Sequence, residues 1–68
     1  MSEHVYQYIE VVGSSKINME DAVNQAIKKA SEKVGNLRWF EVKDTRGQIE
    51  NGDVAYWQVT VKIGYTLK

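Results

Sequence analysis

Sixty-eight residues make at most one small domain, and a chain of this size buries only about 60% of the surface it exposes when unfolded. Nine basic and nine acidic residues give a formal net charge of zero, which argues against nucleic acid as the main partner, because that binding needs a clustered basic face. The absence of cysteine excludes disulfides and thiolate zinc sites, and His4, the single histidine, stands near the terminus without ligand companions.

Of the usual supports for so small a core, oligomerisation is the one left. No apolar run approaches membrane-spanning length, and the start Met1-Ser2-Glu3-His4 lacks the charged-then-apolar pattern of a signal peptide. A cytoplasmic location without a membrane partner is expected. There is no proline and no low-complexity tract to mark a linker, so residues 1–68 are read as one domain.

His4 to Val12 is rich in β-branched and aromatic residues and reads as a first strand. Val5, Ile9 and Val11 share one face, and Tyr6, Tyr8 and Val12 the other. Gly13-Ser14-Ser15-Lys16 is expected to end the strand. A Gly-Ser-Ser segment ahead of a helix can also offer backbone N–H groups to an anion, although a plain connection is the simpler reading.

Asn18 is suited to cap a helix, with Glu20 and Asp21 complementing the positive end of its dipole. Met19, Ala22, Val23, Ala26, Ile27, Ala30 and Val34 follow at steps of three and four, and Gly35 is the expected stop. Alanine is the commonest residue of this apolar stripe. A sheet can therefore approach closely, and the strands must supply the bulk.

From Leu37 the pattern alternates, with Leu37, Trp39, Glu41, Lys43 and Thr45 on one face and Arg38, Phe40, Val42 and Asp44 on the other. Phe40 and Val42 are expected in the core, and a kink is expected at Gly47. Asn51-Gly52 signals a type I′ hairpin. The last strand, Val54 to Leu67, has a continuous apolar face through Ala55, Trp57, Val59, Val61, Ile63 and Tyr65, with Gln58 and Gly64 on its other face. Counting outward from the turn places Glu50 opposite Asp53, Val42 opposite Val61, Phe40 opposite Ile63, Trp39 opposite Gly64 and Thr45 opposite Gln58.

The expected architecture is α+β, a β-α-β-β unit with three antiparallel strands and one helix on one face. One helix cannot cover strands of this length. The open edges and the semi-apolar second face are liabilities for a monomer, so the protomer is expected to assemble with copies of itself.

No catalytic constellation is present: no cysteine nucleophile, no histidine placed as a base, no phosphate-cradling glycine loop. The chain is not expected to be an enzyme or to hold a metal. Trp39 is the main candidate site residue, either as an aromatic of a protomer interface or as a platform for a flat ligand. Gln58, on the same face, offers an amide donor and acceptor to the edge of a heterocycle. The two lie several rows apart within one chain, so they share a ligand only if different protomers supply them.

Four segments carry a resemblance: Val11-Val12-Gly13-Ser14-Ser15, Leu37-Arg38-Trp39-Phe40-Glu41-Val42, Arg46-Gly47-Gln48-Ile49 and Trp57-Gln58-Val59-Thr60-Val61-Lys62-Ile63-Gly64-Tyr65. In this order and spacing, over nearly the whole chain, they resemble the dodecins. The resemblance implies a flavin-binding protein whose sheet partly wraps its helix, with twelve protomers forming a hollow shell. It implies flavins stacked in pairs between tryptophans of neighbouring subunits, with Trp39 as that tryptophan and Gln58 bonding the pyrimidine edge of the ring. Arg46 matches an arginine of bacterial members that lies near the ligand.

One departure is Thr66, where bacterial relatives often carry an arginine, which puts a phosphate or coenzyme A contact there in question. The expected function is storage and buffering of flavin, FMN foremost (riboflavin or FAD otherwise), with quenching of its photochemistry. Arg46, Lys43 and Lys62 are the candidates to neutralise a phosphate. A store of coenzyme A or another nucleotide metabolite in the same shell, using Arg46, is the alternative. A small enzyme subunit with its sheet lining an active site is a third reading, unsupported by the titratable residues.

Overall fold

The computed structural model describes residues 5–67, so His4 and Lys68 lie outside the described residues. The elements are β1 (Tyr6–Ser15), α1 (Met19–Ser31), β2 (Leu37–Glu50) and β3 (Asp53–Thr66). They form the expected β-α-β-β unit, and the sheet has the order β1-β3-β2 with both pairings antiparallel.

The helix starts as its sequence dictates. Asn18 sits in extended backbone, and its side-chain oxygen accepts the Asp21 N–H at 2.7 Å. The end differs: α1 stops at Ser31 with Glu32 as its cap, short of the expected Val34 and Gly35. The left-handed backbone needed to reverse the chain falls on Asn36, at φ 60°, a residue type that tolerates it. At the hairpin, Asn51 and Gly52 have φ 53° and 81°, as a type I′ turn requires.

Ala22, Ala26 and Ala30 of α1 close on Val59, Val61 and Ile63 of β3, and these six side chains are the buried core. Ile9, Val11, Val23, Ile27 and Leu37 pack around them. The alanine stripe brings the helix so close that β1 passes beneath it without a side chain at Gly13. A Cβ there would fall on the Ala22 carbonyl oxygen and lie 2.9 Å from the Ala26 Cβ.

This close approach also explains why Gly13, Ser14 and Ser15 continue β1 instead of ending it. They pair in register with Val59, Gln58 and Trp57. Ser15 Oγ donates to Asp21 Oδ2 at 2.6 Å and accepts the Ile17 N–H at 2.9 Å. The polar groups of this segment tie the strand to the helix start. That satisfies the connecting reading, and no anion is needed.

A helix of 13 residues is about 20 Å long, whereas strands of 14 residues run for about 45 Å. The helix packs chiefly on β1 and β3 and leaves β2 outside its footprint. Phe40 and Val42, expected in the core, therefore stand 49% and 41% exposed, although they pair with Ile63 and Val61 as counted from the turn. Trp57 lies on the helix side but is only half-buried, at the rim of a groove of about 320 Å³ shared with Met19, Gly47, Ile49 and Val54. No helix among the described residues is long and apolar enough to cross a membrane.

Candidate functional site

The face of the sheet turned away from the helix carries Trp39 and Gln58. Trp39 pairs with Gly64, and that glycine is what seats the indole. A Cβ on Gly64 would lie 2.5 Å from the Trp39 Cε2, 2.6 Å from Cζ2 and 2.9 Å from Nε1, so the ring rests directly across the central strand. On the far side Tyr8, which also pairs with Gly64, meets the indole edge-on, with centroids 5.1 Å apart and planes at 90°. The Lys62 Nζ lies 4.1 Å from the centroid of Tyr8 and holds that ring in turn. Trp39 is 39% exposed: backed by strand and tyrosine, it still offers aromatic surface outward.

The substitution Gly64→Ala tests this seat. Its methyl group meets a side chain and not backbone, so the indole is expected to swing off the strand with a stability loss of only about 1–2 kcal/mol. In a Trp57→Phe background the remaining tryptophan emission should move to the red. Unchanged emission would show that the ring does not rest on Gly64.

The rest of the face depends on register. Simple alternation puts Thr45 opposite Gln58, but β2 carries an extra residue at Lys43, between the pairs Val42↔Val61 and Asp44↔Thr60. One inserted residue exchanges the faces of everything beyond it. Thr45 therefore pairs with Val59 on the helix side, and Arg46 pairs with Gln58 on the side of Trp39. A second irregularity, an extra Ala55 in β3, restores the count before the hairpin, which is why Glu50 still meets Asp53. The two shifts bracket Gly47, the expected kink. Ser14 completes the row, so Ser14, Gln58 and Arg46 lie side by side across three strands.

The structure thus brings Arg46 and Gln58 together and leaves Trp39 apart from both. Six residues of β3 separate Gly64 from Gln58, or about 20 Å along the strand. Between them runs a charged belt. Lys43 Nζ reaches across β3 to Glu10 Oε2 at 3.2 Å, and Lys62 stands in register between Glu10 and Glu41. Arg46 Nη2 lies 3.1 Å from Asp44 Oδ2. These exposed pairs contribute little to stability, at most about 1 kcal/mol each. They do set the charge of the face, where cation and carboxylate alternate.

Sequence reasoning missed Tyr8 and Arg38. Tyr8 belongs with Trp39 only because β1 lies on the far side of β3, which no local pattern discloses. Arg38 is the extra residue of a third irregularity, between Leu37↔Tyr65 and Trp39↔Gly64, and its Nε donates to the Thr66 Oγ1 at 3.1 Å.

Known proteins share this fold over nearly the whole chain. The family model described as Dodecin matches residues 5–68. A curated dodecin of Thermus thermophilus is 38% identical over 64 residues, which is 94% of this chain and 93% of that one. Among solved structures, dodecin from Streptomyces davaonensis superimposes with a TM-score of 0.94 at 42% identity, covering 98% of both chains. Dodecin from Streptomyces coelicolor gives 0.93 at 48% identity, covering 100% of this chain and 97% of that one. With its β-α-β-β fold, its full-length match and these relatives, the chain belongs to the dodecin family of small ligand-binding proteins.

Proposed function

We propose that this protein binds and stores a flavin, FMN foremost, in a shell built from copies of itself, and quenches the photochemistry of the bound flavin. The observation that carries the reading is the Trp39 indole seated on Gly64, braced by Tyr8 and open on its outward side. A buried tryptophan serves a core, and a loose exposed one carries conformational entropy into any contact. A ring that is both oriented and exposed suits the stacking of a flat aromatic ligand.

Gln58 presents its amide to the pyrimidine edge of the isoalloxazine. Because Trp39 and Gln58 lie about 20 Å apart in one protomer, a neighbouring subunit supplies one of them. Assembly is also what the open surfaces favour: among the described residues both edges of the sheet are unpaired, and Phe40, Val42 and Ile49 are exposed. A closed dodecamer covers these surfaces and brings two sites together, so that flavins stack in pairs between tryptophans. Trp39 would hold an oxidisable indole against the plane of the stacked flavin, able to donate an electron to its excited state and take it back. The excitation ends as heat and no bond is changed.

The coenzyme A alternative leaned on Arg46, whose guanidinium faces Asp44, and no other observation favours it. The test is a titration of FMN fluorescence with purified protein, alongside sizing of the assembly. Quenching that saturates at a fixed ratio of flavin to protomer supports the proposal. An intact assembly that leaves FMN fluorescence unchanged would sink it.

A further inference from the structure

A flavin nucleotide carries a phosphate, and of the three cations named for it from the sequence two are paired with carboxylates and the third lies over an aromatic ring. Lys43 faces Glu10 at 3.2 Å, Arg46 faces Asp44 at 3.1 Å, and Lys62 lies in register between Glu10 and Glu41 with its Nζ over Tyr8. An anion approaching Lys43 or Arg46 meets a carboxylate as closely as a cation, and the two Coulomb contributions largely cancel, while the Lys62 ammonium is engaged on the Tyr8 ring.

Arg38 differs in each respect. As the extra residue beside Trp39 it is released from strict alternation, and bulges characteristically re-aim a side chain. Its Nε donates to Thr66 Oγ1 at 3.1 Å, a neutral partner, and among the described residues no carboxylate pairs with it. Thr66 lies two residues beyond Gly64 on β3, so this hydrogen bond holds the guanidinium at the stacking surface. With Nε committed to Thr66, both terminal amino groups remain as a planar fork, the geometry that takes two phosphate oxygens at once.

We propose that Arg38, positioned by Thr66, is the phosphate-binding residue of this site and takes the phosphate of a flavin nucleotide stacked on Trp39. This rests on the flavin reading and adds an anion subsite to it. The experiment compares FMN with riboflavin, which lacks the phosphate, by fluorescence quenching at low and high salt. It uses wild type, Arg38→Gln, Arg38→Lys and Thr66→Val.

In wild type, FMN is expected to bind about five- to tenfold more tightly than riboflavin at low ionic strength, the order of one partly exposed charge-assisted contact, with the advantage shrinking as salt screens it. In Arg38→Gln the ratio should fall to about one and lose its salt dependence. Arg38→Lys, which keeps the charge without the fork, and Thr66→Val, which keeps the fork without its anchor, should fall between. A ratio near one in wild type, or one that Arg38→Gln leaves unchanged, overturns the assignment of Arg38 while the stacked site stands. Absence of quenching by both flavins in wild type overturns the flavin reading and this inference with it.

Discussion

Replacing Trp39 with alanine is expected to weaken flavin binding roughly ten- to hundredfold and to abolish the quenching of whatever flavin still binds. The magnitude follows from stacking of a base on an aromatic side chain, worth about 1–3 kcal/mol per contact by alanine substitution. Folding should be little affected, because the indole lies on the outer face and belongs to no buried cluster. The companion Trp39→Phe separates the two roles of the ring. Phenylalanine keeps an aromatic plane but is far harder to oxidise, so affinity should fall less than in the alanine variant while quenching drops steeply. Fluorescence titration and excited-state lifetimes measure both quantities. Full quenching in Trp39→Ala would assign the electron donor to another residue.

The largest stability effect is expected at Gly13. The methyl group of Gly13→Ala would collide with the Ala22 carbonyl oxygen and lie 3.1 Å from the Ala26 backbone nitrogen. A rotamer change cannot relieve a clash with helix backbone, so the whole helix must lift from the sheet. That loosens Ala22 and Ala26 against Val59 and Val61. The cost should reach the upper end of overpacking, about 3 kcal/mol, or a fall in Tm of roughly 10–20 °C for a domain of this size. Gly35→Ala is the internal control. A Cβ there meets no atom within 4 Å, so that variant should unfold within a few degrees of wild type. Thermal unfolding at one fixed protomer concentration decides, since assembly makes Tm concentration-dependent. Equal Tm values for the two variants would mean that helix and strand are not in contact at Gly13.

The elements and their order were legible in the residues because each is locally encoded. Asn18 with Asp21 caps a helix, alanines at steps of four mark its buried stripe, and Asn51-Gly52 turns a hairpin whatever surrounds it. Where local signals competed with packing, packing won. Gly13-Ser14-Ser15 has turn composition, yet it stays extended because β3 offers a full ladder and the helix needs a residue without a side chain there. Phe40 and Val42 have core composition, yet the helix is too short and too far to one side to cover them.

The site divides along the same line. Residue chemistry nominated Trp39 and Gln58 as candidates, and counting back from the turn gave the pairing Trp39↔Gly64. Thr45 was expected opposite Gln58, where Arg46 stands instead, because an inserted residue at Lys43 leaves no mark in an alternating pattern. A strict period of two holds only while both strands advance together, and an irregularity in one strand is visible only from its partner. The same reason hid Arg38 and Tyr8, whose partners Thr66 and Trp39 come from other strands.

The sequence by itself determined the element types, the hairpin, the alanine face of the helix, the need for partners and the aromatic candidate, because periodicity, capping and turn chemistry act over a few residues. Only the tertiary structure decided which face Arg46 joins, that Gly64 and Tyr8 orient the indole, and that Thr66 anchors Arg38 beside it. Those facts are set by cross-strand register and by the central position of β3, which pair residues as far apart in the chain as Tyr8 and Gly64.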